Sequence, residues 1–334
     1  SIRQGNAISI YGLIFPLVLW GYSFFLMGNI ITPFLRVFCC FMLLLLYPIL
    51  NYKIDYQRII LKTSWIIVFI TLAILIMDLV GIIDVNSGNL IHDFFYEHEI
   101  GMMGKSSIYS GYYKIFMKAS PVLTFTLFDA AKRRKYFQII LVLLTLLVSG
   151  TRANMLIPIG MLIVCYVISE KKKKKYVLKT VMVFLLIIVA IIMANDIWSN
   201  FYRIFIEKGV TSDGVRMGHW RGLLEQYKRN PILVVSGTGM GSSFYSYGLN
   251  EYTSSIELPY LDMFRQMGMI FFIVFMMFVL KPLFSKNIDL YMKCAYCAYL
   301  LIAATNPLLF SSTAFLVYIF LYQQYYEKVG ARVK

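Results

Sequence analysis

Three stretches of the sequence concentrate side chains able to hold an anion or move a proton. In LLVSGTRANMLIPIG, residues 146–160, Ser149 and Thr151 offer hydroxyls, Gly150 allows a turn and Arg152 supplies a guanidinium. A guanidinium presents its N–H donors in a planar fork that fits phosphate oxygens. A helix beginning there would add the positive end of its dipole. A lipid phosphate or pyrophosphate suits this chemistry. The plainer alternative is an arginine near a span end that snorkels to bulk phospholipid.

The second stretch is DGVRMGHWRGLLEQYKRN, residues 213–230, followed by Pro231. Asp213 predicts a helix N-cap and the Asn-Pro step predicts its end. Arg216, Trp220, Leu223 or Leu224, and Tyr227 recur at helical spacing on one face. Such a helix can lie on the membrane interface with Trp220 as anchor. It can also turn Arg216 inward, where two guanidiniums, Arg152 and Arg216, would clamp a diphosphate through charge-assisted bonds. His219 and Arg221 join Trp220, Ser149 and Thr151 as substrate-binding candidates.

The third stretch is SSIELPYLDMFRQMG, residues 254–268. Asp262 and Arg265 stand at i,i+3 and read as a neutralising ion pair. Glu257 has no cation beside it, and is either a general base or an ordinary solvated carboxylate. His219, His92, Glu97 and Glu99 are further candidates for the base. Just upstream, SGTGMGSS (236–243) lacks the lysine of a nucleotide loop, leaving a flexible turn or a nest of backbone amides for an anion.

The elements that must position these residues follow from composition. Of 334 residues 59% are hydrophobic and 15% charged, and the mean hydropathy is +0.70. That balance gives too little polar surface for a soluble domain and predicts an all-α polytopic membrane protein. A net charge of +15 would point to nucleic acid in a soluble protein. Here the basic residues sit in short loops between apolar runs, so no nucleic-acid partner is expected. The five cysteines lie in or beside apolar segments. Cys294 and Cys297 have CxxC spacing without a second pair or a histidine cluster, so no zinc site is expected, and no cofactor is expected either.

A span needs ~20 apolar residues, and about ten spans are expected, at 7–27, 30–50, 64–83, 107–129, 137–149, 153–169, 176–197, 259–280, 289–306 and 310–326. The first apolar run has no small-residue cleavage site after it and reads as a retained span. With both termini cytoplasmic, the clusters Lys132–Lys135 and Lys171–Lys175 fall inside, and Lys105 stands alone in the short outer segments. The loop 198–258 then lies outside as a helical cap, which makes the extracytoplasmic face of a single transmembrane domain the working side. The basic clusters also force residues 137–169 to cross and return as a short hairpin. Thirteen residues, 137–149, rise only about 20 Å, against a core of ~30 Å. The turn around Arg152 should therefore be sunken, where an arginine needs an anion or water.

SGTRANML after an apolar run, Arg216-x-x-x-Trp220, the GTGMG loop and the run from Glu257 through Gly268 occur in one order. This order resembles the bacterial O-antigen polymerase (Wzy-type) and O-antigen ligase superfamily over roughly residues 137–280. The resemblance implies a C-type membrane glycosyltransferase that uses undecaprenyl-diphosphate-linked glycans and neither metal nor cofactor. It gives Arg152 and Arg216 the diphosphate. The ligase branch carries a histidine where this chain has Glu257-Leu258, and a glutamate there is similar to many polymerases.

The expected activity is polymerisation of O-antigen or capsule repeat units at the outer face of the bacterial inner membrane. Glu257, Arg152 and Arg216 are its expected catalytic residues. Partners would be undecaprenyl-diphosphate-linked oligosaccharides, membrane lipids and a chain-length regulator. The competing readings are an O-antigen ligase and a lipid-linked oligosaccharide flippase, the latter drawing on Arg36, Asp78, Lys114 and Lys118 as charges within spans. A flippase would more often show two related halves, and no internal repeat is visible in this sequence.

Overall fold

The computed structural model describes residues 8–50, 54–86, 89–105, 113–169, 208–256, 258–306 and 308–330. These residues are mostly helical, with two short antiparallel ribbons. Two helices, Tyr56–Leu79 and Pro259–Phe284, are long and apolar enough to cross a membrane. Five shorter apolar helices accompany them, Ile10–Leu26, Phe34–Ile49, Tyr136–Val148, Arg152–Ile168 and Leu290–Ala303. The expected span 176–197 and the cap residues 198–207 lie outside the described residues.

The chain divides into two compact units. One comprises Ser1–Tyr56, Gly209–Ile288 and Ala303–Lys334. Its helices are α1 (Ile10–Leu26, with π-helical turns), α2 (Phe34–Ile49), α8 (Lys208–Arg229), the short α9 (Leu233–Ser236), α10 (Pro259–Leu280) and α12 (Ser312–Gly330). The ribbon β3 (Phe244–Ser246) and β4 (Glu251–Thr253) belongs to it. Its core is a set of interlocked rings. Phe41 meets Phe315 edge-on at 4.8 Å, and Phe278 stacks on Tyr322 at 4.7 Å. Rings supply large buried area with few rotatable bonds, so they fix the helices that carry them. Gln323 Nε2 donates to the Ile54 carbonyl at 2.9 Å and its oxygen accepts from Tyr56 N–H at 3.2 Å, which fastens α12 to the segment that follows α2.

The other unit comprises Gln57–Lys208 and Asp289–Ile302. It holds α3 (Tyr56–Leu79), α4 (Leu90–Glu97), the ribbon β1 (Gly101–Met102) with β2 (Phe116–Met117), α5 (Leu123–Arg133), α6 (Tyr136–Val148), α7 (Arg152–Ile168) and α11 (Leu290–Ala303). Near the end of α3 the buried Asp78 carboxylate accepts from Val85 N–H at 3.1 Å, from the Tyr113 hydroxyl and from Lys105 Nζ at 3.2 Å. This carboxylate ties the loop after α3 to the far side of the β1–β2 ribbon.

Here the structure corrects the expected span 107–129. Lys105 bridges to Tyr113, Phe116–Met117 pairs with β1, and α5 begins only at Leu123. Lys114 and Lys118 interrupt that segment, and the backbone of 113–117 pairs with the ribbon and its neighbours instead of forming a helix. Lys118 pairs with Glu99 at 3.1 Å with both side chains exposed.

Candidate functional site

The α6–α7 turn has the form its residues predict. Gly150 takes φ +65, and Thr151 sits in an extended conformation at the N-cap of α7. Ser149 is buried. Its hydroxyl donates to the Leu146 carbonyl at 2.6 Å and accepts from Asn154 Nδ2 at 3.1 Å. It is therefore spent on closing α6 and opening α7, so its role is to shape the turn. Thr151 Oγ1 is buried and has no hydrogen-bond partner among the described residues. Arg152 is the first residue of α7 and is half-buried.

Sequence reasoning missed what lies on this turn. Ile115 N–H donates to the Val148 carbonyl at 3.0 Å. A Cβ added at Gly150 would come within 2.7 Å of the Tyr113 carbonyl and 2.8 Å of Lys114 Cα. The extended segment 113–117 thus lies across the turn. Lys114, treated in the sequence as an intramembrane charge, stands beside Gly150. The signal for it was present in the lysines at 105, 114 and 118, which make a helical span there costly.

In the other unit, α8 runs from Lys208, earlier than Asp213 predicts, and stops before Asn230-Pro231 as expected. A cap residue starts a helix only where the preceding backbone leaves helical geometry, and here it does not. The burial also departs from the expected single face. His219 and Leu223 are buried, whereas Trp220 is 44% exposed beside exposed Met217 and Leu224. Leu223 joins Phe244 and Ile256 in a small core, with Tyr227, Leu258 and Leu261 against it. So Leu223 and Tyr227 face inward, while Trp220 and Leu224 face out. Arg216 is half-buried between these faces.

Two glycines make this arrangement. A Cβ on Gly218 would sit 2.1 Å from Gly248 N, and one on Gly222 would sit 2.1 Å from the Tyr245 carbonyl. The β3–β4 ribbon therefore lies backbone-close on α8. That approach brings Ser246 Oγ to 2.8 Å from His219 Nδ1, and the same hydroxyl accepts from Leu249 N–H at 3.2 Å. Arg221 lies over the Tyr247 ring at 4.8 Å and reaches Glu225 at 3.7 Å.

The expected Asp262–Arg265 pair is present, at 2.8 Å, but it is part of a larger clasp. Arg265 is wholly buried and donates to Asp262, to the Ser242 carbonyl and hydroxyl, and to the Ser254 carbonyl, at 2.8–3.1 Å. The reason lies in Gly268, whose φ of 67 and ψ of 175 interrupt α10. A break of this kind frees the carbonyls one turn earlier. The Arg265 and Gln266 carbonyls accept from Thr238 and Gly239 N–H, both at 2.9 Å. Met240 N–H goes to Ser23 Oγ and Gly241 N–H to Gln266 Oε1. This corrects the anion-nest alternative for GTGMG, because the amides of 238–241 are all engaged, two by carbonyls at the kink, one by Ser23 on α1 and one by the Gln266 side chain.

Residues 137–276 match the family model described as O-antigen ligase. This places residues 137–276 in the O-antigen polymerase/ligase superfamily. The match begins at α6 and ends within α10, so it takes in the Arg152 turn, α8 and the clasp at Gly268. The superfamily is membrane-associated, in keeping with the apolar helices. No curated protein and no solved structure matches the chain.

Within the matched residues, Arg152 belongs to one unit, and Arg216, His219, Trp220 and Arg221 to the other. Glu257 lies outside the described residues; its neighbours Ile256 and Leu258 both pack in the α8 core. Among the other base candidates, His92 stands 3.4 Å from Asp93 and Glu99 is paired with Lys118, both in the Arg152 unit, where Glu97 ends α4.

Proposed function

We propose that the protein is a polysaccharide polymerase, of O-antigen or capsule type, acting at the extracytoplasmic face of the inner membrane. One observation carries this reading. The Ser149–Arg152 turn follows a 13-residue helix and is covered by the 113–117 segment, and Arg152 stands at the N-terminus of the next helix. An arginine so placed suits the phosphates of a lipid carrier.

The donor is a growing glycan on undecaprenyl diphosphate, and the acceptor is a lipid-linked repeat unit. An acceptor hydroxyl attacks the anomeric carbon, the bond from that carbon to the diphosphate oxygen breaks, and the electron pair leaves with the diphosphate. Arg152 and Arg216 are assigned to the negative charge that develops there, an electrostatic role of the kind that is usually the largest. Glu257 is assigned the acceptor proton, worth about 10²–10⁴-fold.

The family description favours one second reading, transfer of the finished glycan to a lipid A core by a ligase. Glu257-Leu258 in place of the ligase histidine favours the polymerase. The deciding experiment gives purified protein lipid-linked repeat units, with and without lipid A core. A ladder of longer lipid-linked glycans is expected. Transfer to the core alone makes it a ligase, and flipping with no new glycosidic bond overturns both readings.

A further inference from the structure

The outer face of the β3–β4 ribbon carries three tyrosines that nothing in the proposed chemistry uses. Tyr245 and Tyr247 stand two residues apart on one strand side, and Tyr252 is the cross-strand partner of Tyr245. Alternation puts all three on the face opposite Phe244 and Ser246, which are buried toward α8. Tyr252 is 75% exposed. The rings are ordered against one another, Tyr245 meeting Tyr247 edge-on at 5.2 Å and Tyr252 at 5.5 Å. At the edge of the face the Tyr247 hydroxyl donates to Glu225 at 2.5 Å, and Arg221 covers its ring. Exposed aromatic faces grouped in this way mark a binding surface.

Charge decides the occupant. In a protein of net charge +15, the ten residues 244–253 hold one charged side chain, Glu251, and at the edge of the face the Glu225 carboxylate stands with Arg221, so the face carries no excess of positive charge. That makes a poor surface for anionic lipid headgroups. It suits a ligand with C–H faces for the negative faces of the rings and hydroxyl donors for the carboxylate.

We infer that Tyr245, Tyr247 and Tyr252 form a platform for a glycan chain, holding sugar units away from the reacting bond. This rests on the polymerase reading for the identity of the chain. The Gly218 and Gly222 approach fixes the platform to the helix of Arg216 and His219, so a glycan lying on it is held at a set distance from that helix. The platform would bear on how long a product stays bound, leaving the chemistry of one bond unchanged.

The test uses the full chain in detergent, titrated with polysaccharide released by mild acid from the source cells and followed by saturation-transfer NMR to the aromatic protons. Wild type should bind, Tyr252→Ala should bind roughly three- to tenfold more weakly, and Tyr252→Trp should restore binding. With lipid-linked repeat units, Tyr252→Ala should still form the first bond but give a shorter ladder. Equal polysaccharide binding and equal ladders in wild type and Tyr252→Ala overturn the platform, as does a wild type that binds no polysaccharide. In phosphatidylcholine nanodiscs, the emission added by Tyr252→Trp should be quenched by aqueous iodide. Quenching by brominated phosphatidylcholine instead places the ring in the bilayer and overturns the platform. Binding that depends on Tyr252 without any bond formation supports the platform and sinks the polymerase reading.

Discussion

Gly268 and Gly237 pass each other backbone to backbone. A Cβ added to Gly268 would lie 2.3 Å from Gly237 N, and one added to Gly237 would lie 2.4 Å from Gly268 N. Both residues have positive φ, 67 and 77. Gly268→Ala therefore meets left-handed strain and a main-chain clash together, and should cost more than about 2 kcal/mol. Thermal unfolding of the purified protein should show a lowered Tm, and an unchanged Tm would show that the loop is not closed on the kink.

Arg265 supplies the donors that hold Ser242, Ser254 and Asp262 together. Arg265→Ala leaves a carboxylate and two carbonyls without it, and breaking a buried pair in this way costs about 3–5 kcal/mol. Arg265→Lys keeps the charge but loses the fork, and should recover only part of that. Denaturant or thermal midpoints of the three proteins should rank wild type, lysine, alanine.

The ribbon's seat on α8 leaves no space for side chains at Gly218 or Gly222. Gly222→Val should force the ribbon away from the helix and break the contact between Ser246 and His219. Glycan-forming activity should fall more steeply than the yield of folded protein, as judged by size-exclusion profile. Activity equal to wild type would show that the ribbon has no part in the site.

Arg152→Ala should remove product formation by at least about 10²-fold, the scale for loss of one preorganised charge donor, with expression and monodispersity intact. Arg152→Lys keeps a positive charge without bidentate geometry and should fall between. Turnover of lipid-linked repeats is the measurement. Normal polymerisation by Arg152→Ala would end the assignment of this residue to the diphosphate.

Burial holds the Tyr227 phenol above its usual range, and its hydroxyl has no hydrogen-bond partner among the described residues. A raised folded value stabilises fully below about pH 10, the ordinary tyrosine value, and is lost as pH climbs through the folded one. Tyr227→Phe should leave the Tm at pH 8 unchanged or raised, and should make its decline toward pH 11 shallower. Parallel melts at the two pH values check both outcomes.

Apolar runs and the charges between them were enough to predict helices and a short α6–α7 hairpin, because burying apolar length and excluding charge are local properties of the chain. The Asp262–Arg265 pair and the end of α8 at Asn230-Pro231 were legible for the same reason, since each depends on residues one turn apart. Three things were not local. The roof of Tyr113 and Lys114 over Gly150 replaced a predicted span, because ribbon pairing satisfied backbone groups that hydropathy had assigned to a helix. Of the Thr238–Gly241 amides, readable in the sequence as an anion nest, the first two went to carbonyls freed by the break at Gly268, 27 residues further on, and the other two to the side chains of Ser23 and Gln266. The inward face of α8 was set by which side the ribbon could approach, and only Gly218 and Gly222 allow its backbone that close. Glycine spacing in the sequence records that an approach is permitted, and the tertiary structure decides which backbone makes it.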